Sequence, residues 1–282
     1  MPEIKIIECP RDAMQGRHAF IPTEVKTAYL QRLLHCGFDT LDFGSFVSPK
    51  AIPQMRDTAE VVRGLDLQDT DTKLLAIVAN RRGAVAALEH EQIDYLGYPF
   101  SVSETFQLRN TNATLSDSVE RVKQIQELTR ARGKELVIYL SMAFGNPYGD
   151  PWNVDVVELW LERLARLDIS IFQLSDTIGV GSPASISYLF SNLIPRYPAL
   201  EIGAHLHTTP TSWREKVVAA AEAGCKRYDG AIRGFGGCPM ARDELTGNMP
   251  TEHLVEYFGN RPTGVNANDF AEAMQASLAV FT

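Results

Sequence analysis

Short apolar runs recur along the chain every 25 to 40 residues or so, and stretches of helical periodicity separate them. The runs that read as strands lie at 4–9, 40–46, 73–80, 93–100, 136–144, 170–175, 201–208 and 227–232. Between them, residues 23–36 open on Thr-Glu and place Val25, Leu30, Leu33 and Leu34 on one face. Residues 116–132 and 154–167 repeat the 3.6-residue pattern, and 211–223 ends at Gly224, a common helix stop. Eight strands alternating with about eight helices, with no evident linker, predict an α/β fold: a closed (β/α)8 TIM barrel. The barrel spans about 4–259, and 260–282 forms a short C-terminal helical extension, the whole chain 1–282 making one domain. The first strand is not followed by Gly-x-Gly-x-x-Gly, so a dinucleotide-binding sheet fits poorly.

Barrel chemistry sits at the carboxyl ends of the strands, so the order of strands becomes a statement about space. Strands seven, eight and one are consecutive around the ring. Strand seven ends on Ala204-His205-Leu206-His207, two histidines at i and i+2 that share one face and can share one cation. Two core histidines bonded to neighbouring backbone are the alternative. Arg11 and Asp12 follow strand one, and Gly247-Asn248 follows strand eight. Asp12, His205, His207 and Asn248 can together offer two oxygens and two imidazole nitrogens. With no thiolate and room for substrate oxygens, such a set suits Mg²⁺ or Mn²⁺ better than structural zinc. Arg11 and Asp12 both face this site only if the chain turns at Pro10.

Composition narrows the partners. The chain has 282 residues, 45% hydrophobic, long enough for a sizeable core. A formal net charge of -8 argues against nucleic acid or a polybasic membrane contact, though not against a phosphate-bearing ligand. Cys9, Cys36, Cys225 and Cys238 show no paired spacing, and the N-terminal residues lack signal-peptide features. No apolar run reaches the length of a membrane span. A cytoplasmic protein with free thiols is expected.

Six motifs appear in order: Pro10-Arg11-Asp12-Ala13-Met14-Gln15, Ser45-Phe46-Val47-Ser48-Pro49-Lys50, Ser175-Asp176-Thr177-Ile178-Gly179, His205-x-His207, Gly236-Gly237-Cys238-Pro239 and Gly247-Asn248-x-x-Thr251-Glu252. Together they resemble the 3-hydroxy-3-methylglutaryl-CoA lyase family of TIM-barrel metallolyases, over about 4–264. The resemblance implies cleavage of that thioester to acetyl-CoA and acetoacetate in leucine breakdown, with a divalent cation and no organic cofactor beyond the substrate's CoA. It implies a homodimer. It places Asp12, His205, His207 and Asn248 as metal ligands, Arg11 beside the enolate and Cys238 on a mobile glycine-flanked loop. Asp12 is the candidate acceptor of the hydroxyl proton, with His205 as its rival. Cys238 either protonates the acetyl-CoA carbanion or only helps exclude water. Arg11 can instead be a structural ion-pair residue, Asp12 a turn cap, and Cys238 a packing residue. Asp176 orients a ligand or caps a helix. Lys50 and Asn110 are candidate CoA contacts or solvated surface residues.

The chain departs from the family pattern at several points. Ala13 stands where glycine is usual, and Asp42 replaces a glutamate that supports the arginine. Thr208 follows the histidines where Asp or Asn is normal. Ile7 takes the place of a glutamate, with Glu8 one residue on and facing elsewhere. The loop from Cys238 to Asn248 is one residue longer than usual. These changes leave open a sibling substrate, another 3-hydroxyacyl-CoA. A non-catalytic metal-binding barrel is the reading from a different class, and the condensing synthases that share His-x-His usually carry further C-terminal domains.

Overall fold

A computed structural model describes residues 3–237 and 246–281. Eight parallel strands close on themselves: β1 (Lys5–Glu8), β2 (Thr40–Ser45), β3 (Lys73–Ile77), β4 (Ile93–Ser101), β5 (Glu135–Ser141), β6 (Ile171–Asp176), β7 (Glu201–Thr208) and β8 (Arg227–Gly230). Each pairs with the next, and β8 pairs back onto β1, with Ile6 opposite Tyr228 and Ile7 opposite Asp229. The barrel is therefore closed, as the alternation of strands and helices predicts. A two-residue β9 (Gly247–Asn248) adds antiparallel to β7 and has no counterpart in the periodicity.

The helices follow the strands. They are α1 (Pro10–Gln15), α2 (Thr23–Leu34), α3 (Thr58–Arg63), α4 (Arg81–Ala87), α5 (Glu104–Thr111), α6 (Leu115–Ala131), α7 (Val154–Ala165), α8 (Pro183–Arg196), α9 (Trp213–Glu222), α10 (Thr251–Tyr257) and α11 (Ala267–Phe281). Capping explains several boundaries. Thr114 and Asp117 form a reciprocal capping box at the start of α6, and the Asn80 side chain accepts from Gly83 N to begin α4. That cap ends the third strand before Asn80, and Met142 at φ +60° ends the fifth before Phe144. The expected tail helix is α11. It lies on α2, with Phe281 edge-on to Tyr29 at 6.0 Å and Phe270 edge-on to Phe38 at 6.0 Å. No helix among the described residues is long and apolar enough to cross a membrane.

Alternation along the strands sorts the side chains. Residues such as Ile6, Leu41, Leu96, Phe172 and Leu206 join the core under the helices, whereas Leu75, Ile77, Tyr95, Val137, Tyr139 and Ile171 make a separate apolar cluster inside the barrel. That inner cluster comes only from β3 to β6. The inner positions of β7, β8, β1 and β2 carry His205, His207, Arg227, Asp229, Lys5 and Asp42, with the apolar Ile7 among them. One half of the bore is apolar and the other is charged, which decides where chemistry can occur.

Candidate active site

Residues of α1, β2, β7, β8 and β9 converge at the carboxyl end of the charged half. Cys9 closes β1, and Pro10 occupies the first turn of α1, where its missing N–H costs nothing. This is the turn that the placement of Arg11 and Asp12 requires. A helix sets successive side chains about 100° apart, so both can border the site. Ala13 lies within α1 and has no positive φ, so the loss of glycine there brings no strain.

Strand β7 presents both imidazoles on one face, with ring centroids 5.3 Å apart. The pairing of β7 with β9 sets His207 directly opposite Asn248, which is how a residue forty positions later in the chain reaches the histidines. Ligand atoms of Asp12, His205 and His207 all lie within 4.8 Å of one another. Asn248 stands beside Asp12 and donates its Nδ2 to the Phe235 carbonyl at 2.8 Å, which fixes the orientation of its amide. The glycine-rich turn is tightly fitted here. A Cβ on Gly236, whose φ is +84°, would lie 2.7 Å from the Asp12 carbonyl oxygen.

Each histidine is oriented from behind. His207 Nδ1 donates to the Thr177 carbonyl at 2.9 Å, leaving Nε2 buried without a hydrogen-bond partner. A buried orphan nitrogen is costly unless it binds something, and a lone pair aimed at two neighbouring ligands is suited to a cation. His205 Nδ1 bonds Asp229 Oδ2 at 2.9 Å, and Gln173 Nε2 donates to the other oxygen of Asp229. Gln173 reaches Asp229 across Gly203, where a Cβ would collide with its amide oxygen. Asp229 is a residue the sequence reading passed over. Its signal was available: it sits two positions after Arg227 on a strand, so both enter the bore, and it registers opposite His205. Tyr139, edge-on to His205 at 5.6 Å with a buried, unpartnered hydroxyl, was also passed over.

Arg11 is locked in place. Its Nε donates to both oxygens of Asp42 at 3.1 Å, and its Nη1 donates to Asp12 Oδ1 at 2.8 Å and Gln15 Oε1 at 3.0 Å. The shorter carboxylate at position 42 therefore still reaches the guanidinium in a two-toothed pair. Gln15 completes the ring by donating to Asp12 Oδ1 at 2.6 Å.

The electrostatics follow from burial against neighbours. Burial alone would raise Asp12, but Arg11, then His205 and His207, outweigh it and hold the carboxyl below its ordinary range. Burial pushes Asp42 up to about 6, against the pull of Arg11. Burial and the neighbouring His205 drive His207 down to about 4, so its imidazole is neutral near pH 7. Burial would lower His205, but the bond from Asp229 prevails and raises it.

The remaining predicted residues are less concentrated. Lys50 is exposed in the loop after β2, and Asn110 is exposed on α5; neither is gathered into the buried cluster. Cys238 lies outside the described residues. Thr208 is buried, with its hydroxyl 3.5 Å from the Asn248 carbonyl, a long contact. Glu8 faces the helical layer and not the bore, as expected; it accepts from Ile232 N at 2.9 Å and from the Thr251 hydroxyl. Asp176 caps no helix: its Oδ1 accepts from Gly181 N at 2.9 Å and its Oδ2 pairs with Lys216.

The HMGL-like family profile matches residues 3–278. The chain belongs to the HMGL-like family. It is 34% identical over 246 residues to the hydroxymethylglutaryl-CoA lyase of Bacillus subtilis, covering 87% of this chain and 81% of that protein. The crystal structure of the Bacillus subtilis HMG-CoA lyase superposes with a TM-score of 0.93 at 32% identity, covering 100% of this chain and 95% of that one. An HMG-CoA lyase from Acinetobacter baumannii, solved in complex with coenzyme A and 3-methylmalate, superposes at 0.90 with 28% identity, covering 99% and 91%. The fold read from alternating strands and helices is thus the fold of these lyases.

Proposed function

We propose that this protein is a carbon–carbon lyase that cleaves 3-hydroxy-3-methylglutaryl-CoA to acetyl-CoA and acetoacetate. The observation that carries the proposal is the buried meeting of Asp12, His205 and His207 around an unpartnered imidazole nitrogen, with Arg11 braced beside them. Membership of the family and likeness to solved HMG-CoA lyases support it. Asp12, His205, His207 and Asn248 are the residues that would hold Mg²⁺ or Mn²⁺, all oxygen and imidazole donors without thiolate. Bound there, the cation would acidify and align the tertiary hydroxyl of the substrate.

The chain's own groups account for the rest. Asp12 accepts the hydroxyl proton, and His205 is the second group within reach. The C2–C3 bond then breaks, its electrons passing into the thioester as an enolate while C3 becomes the ketone of acetoacetate. Arg11 offers its remaining Nη2 N–H to that developing oxyanion, the guanidinium being held by Asp42 so that no reorganisation is needed. Cys238 is assigned the return of a proton to the enolate carbon. Lys50 and Asn110 are assigned to the CoA moiety. An acyl-CoA substrate is in keeping with the coenzyme A bound by the Acinetobacter enzyme. We read 1–282 as one unit, a barrel with a helical tail, acting as a cytoplasmic homodimer; the free thiols of Cys9, Cys36 and Cys225 support a reducing compartment.

The test is incubation of the purified chain with the thioester and Mg²⁺ or Mn²⁺. Acetyl-CoA and acetoacetate are expected in equal amounts, and their absence overturns the proposal. Thr208, whose contact with the Asn248 carbonyl is long, favours a second reading: a related 3-hydroxyacyl-CoA with a larger C3 substituent. A higher kcat/KM for such a thioester would select it.

A further inference from the structure

Behind His207, on the side of β7 away from the bore, Lys216 of α9 is buried at 4% exposure. Its ammonium has three hydrogens and three acceptors. Nζ donates to Asp176 Oδ2 at 2.7 Å, to the His207 carbonyl at 2.8 Å and to the Gly179 carbonyl at 3.1 Å. Asp176 is buried at 1% exposure, and its other oxygen takes Gly181 N at 2.9 Å. All three ammonium hydrogens are thus committed, and both charges are buried away from solvent.

The geometry gains meaning from what lies between these contacts. Asp176 and Gly179 flank Thr177, and it is the Thr177 carbonyl that accepts from His207 Nδ1 at 2.9 Å. One ammonium therefore ties the backbone of His207 to the short loop that holds its ring. Thr177 is fixed from the other side as well, because its hydroxyl accepts from Met142 N at 2.8 Å. With backbone and Nδ1 both anchored, the imidazole has one direction left for Nε2, an atom without a hydrogen-bond partner. A buried ion pair costs several kcal/mol of desolvation per ion, and an apolar pair of similar volume would pack this space as well or better. Packing alone therefore does not explain its presence.

We propose that the Lys216–Asp176 ion pair is a positioning device for His207, setting the Nε2 direction on which cation affinity depends. The proposal rests on the reading of Asp12, His205, His207 and Asn248 as a metal site. It follows that Lys216 is a positioning residue and not a catalytic one, since it touches neither the cation nor the substrate.

The test is titration of the metal-free protein with Mn²⁺ alone, followed by calorimetry and by the electron paramagnetic resonance of free Mn²⁺. The informative variant is K216M/D176N, which removes the tether and leaves no unpaired buried charge. It is expected to fold, with a native circular dichroism spectrum, and to bind Mn²⁺ about 10- to 100-fold more weakly, the usual effect of removing a partner behind a ligand. Its kcat should recover toward the wild-type value as Mn²⁺ is raised, which a damaged substrate site would not allow. An unchanged Mn²⁺ Kd in the folded variant overturns the proposal. If the double variant does not fold, K216R keeps the charge but displaces the donors, and the same comparison of Kd decides. A wild-type protein that binds Mn²⁺ but cleaves no hydroxymethylglutaryl-CoA leaves the positioning role standing and removes the assigned substrate. One that binds no Mn²⁺ removes both.

Discussion

The two ends of the same strands both bury charge, and they use it differently. At the amino end of the charged half, Lys5 meets Glu201 at 2.7 Å, and Arg227 meets Glu201 at 2.9 Å and Asp39 at 3.5 Å. These contacts pair each cation with an anion. Arg227 keeps Nε and Nη2 unpartnered, but these are N–H groups and cannot hold a metal. At the carboxyl end, Arg11, Asp12, Asp42, the two histidines and Asp229 crowd together, yet an acceptor lone pair on His207 remains uncommitted. A closed set of charges fixes the barrel, and an open set is where it can act. Burial and charge alone do not separate the two; the atom left over does.

That contrast breaks if a change at one end moves the property of the other. The largest effect is expected from His207→Ala, which removes the uncommitted nitrogen. Mn²⁺ binding should fall below detection by calorimetry, and turnover should drop by at least about a thousandfold, the cation's share of the barrier being several kcal/mol. Arg11→Lys comes next. Cation binding should persist, while kcat/KM falls about 100- to 1,000-fold because an ammonium cannot reproduce donors aimed at the oxyanion. A parallel loss of Mn²⁺ affinity would show that Arg11 serves the metal site and not the enolate.

At the other end, Arg227→Met should leave Mn²⁺ affinity unchanged and lower stability by about 2 kcal/mol. That is below the usual cost of breaking a buried pair, because Glu201 remains partly exposed and keeps Lys5. Urea unfolding measures it, and a shifted Kd would erase the distinction between the ends.

The last comparison concerns Glu8, which joins both flanks of the glycine-rich segment through Ile232 and Thr251. Burial raises its pKa to about 8, so the folded state holds this proton where the unfolded chain, near 4.5, has lost it. Stability from this group is full below the unfolded value and is lost as pH rises toward 8. Glu8→Gln mimics the neutral acid. Its stability advantage over wild type should therefore grow from pH 5 to 8 and level off above, read from unfolding midpoints across pH.

Much of the site was legible before the fold was known. The parity of His205 and His207, and the position of Arg11-Asp12 after the first strand, follow from local spacing and the rule that barrel chemistry lies at strand ends. The partners of those residues were not legible in the same way. Gln173, Asp229 and Lys216 belong to elements whose local patterns read as ordinary strand or helix, and nothing local says that a lysine on a surface-type helix is buried. Asn248 could be placed near the histidines only by its position after the eighth strand, because a strand of two residues has no periodicity.

The sequence by itself determined the ring of strands and the residue types offered to a cation, because these depend on period and order along the chain. Only the tertiary structure decided which atoms are spent and which are left. Hydrogen bonds are short and directional, so Nδ1 of His207 is taken by a carbonyl thirty residues away while Nε2 stays open. Periodicity places a side chain on a face; whether its lone pair is free depends on what the rest of the chain brings to that face.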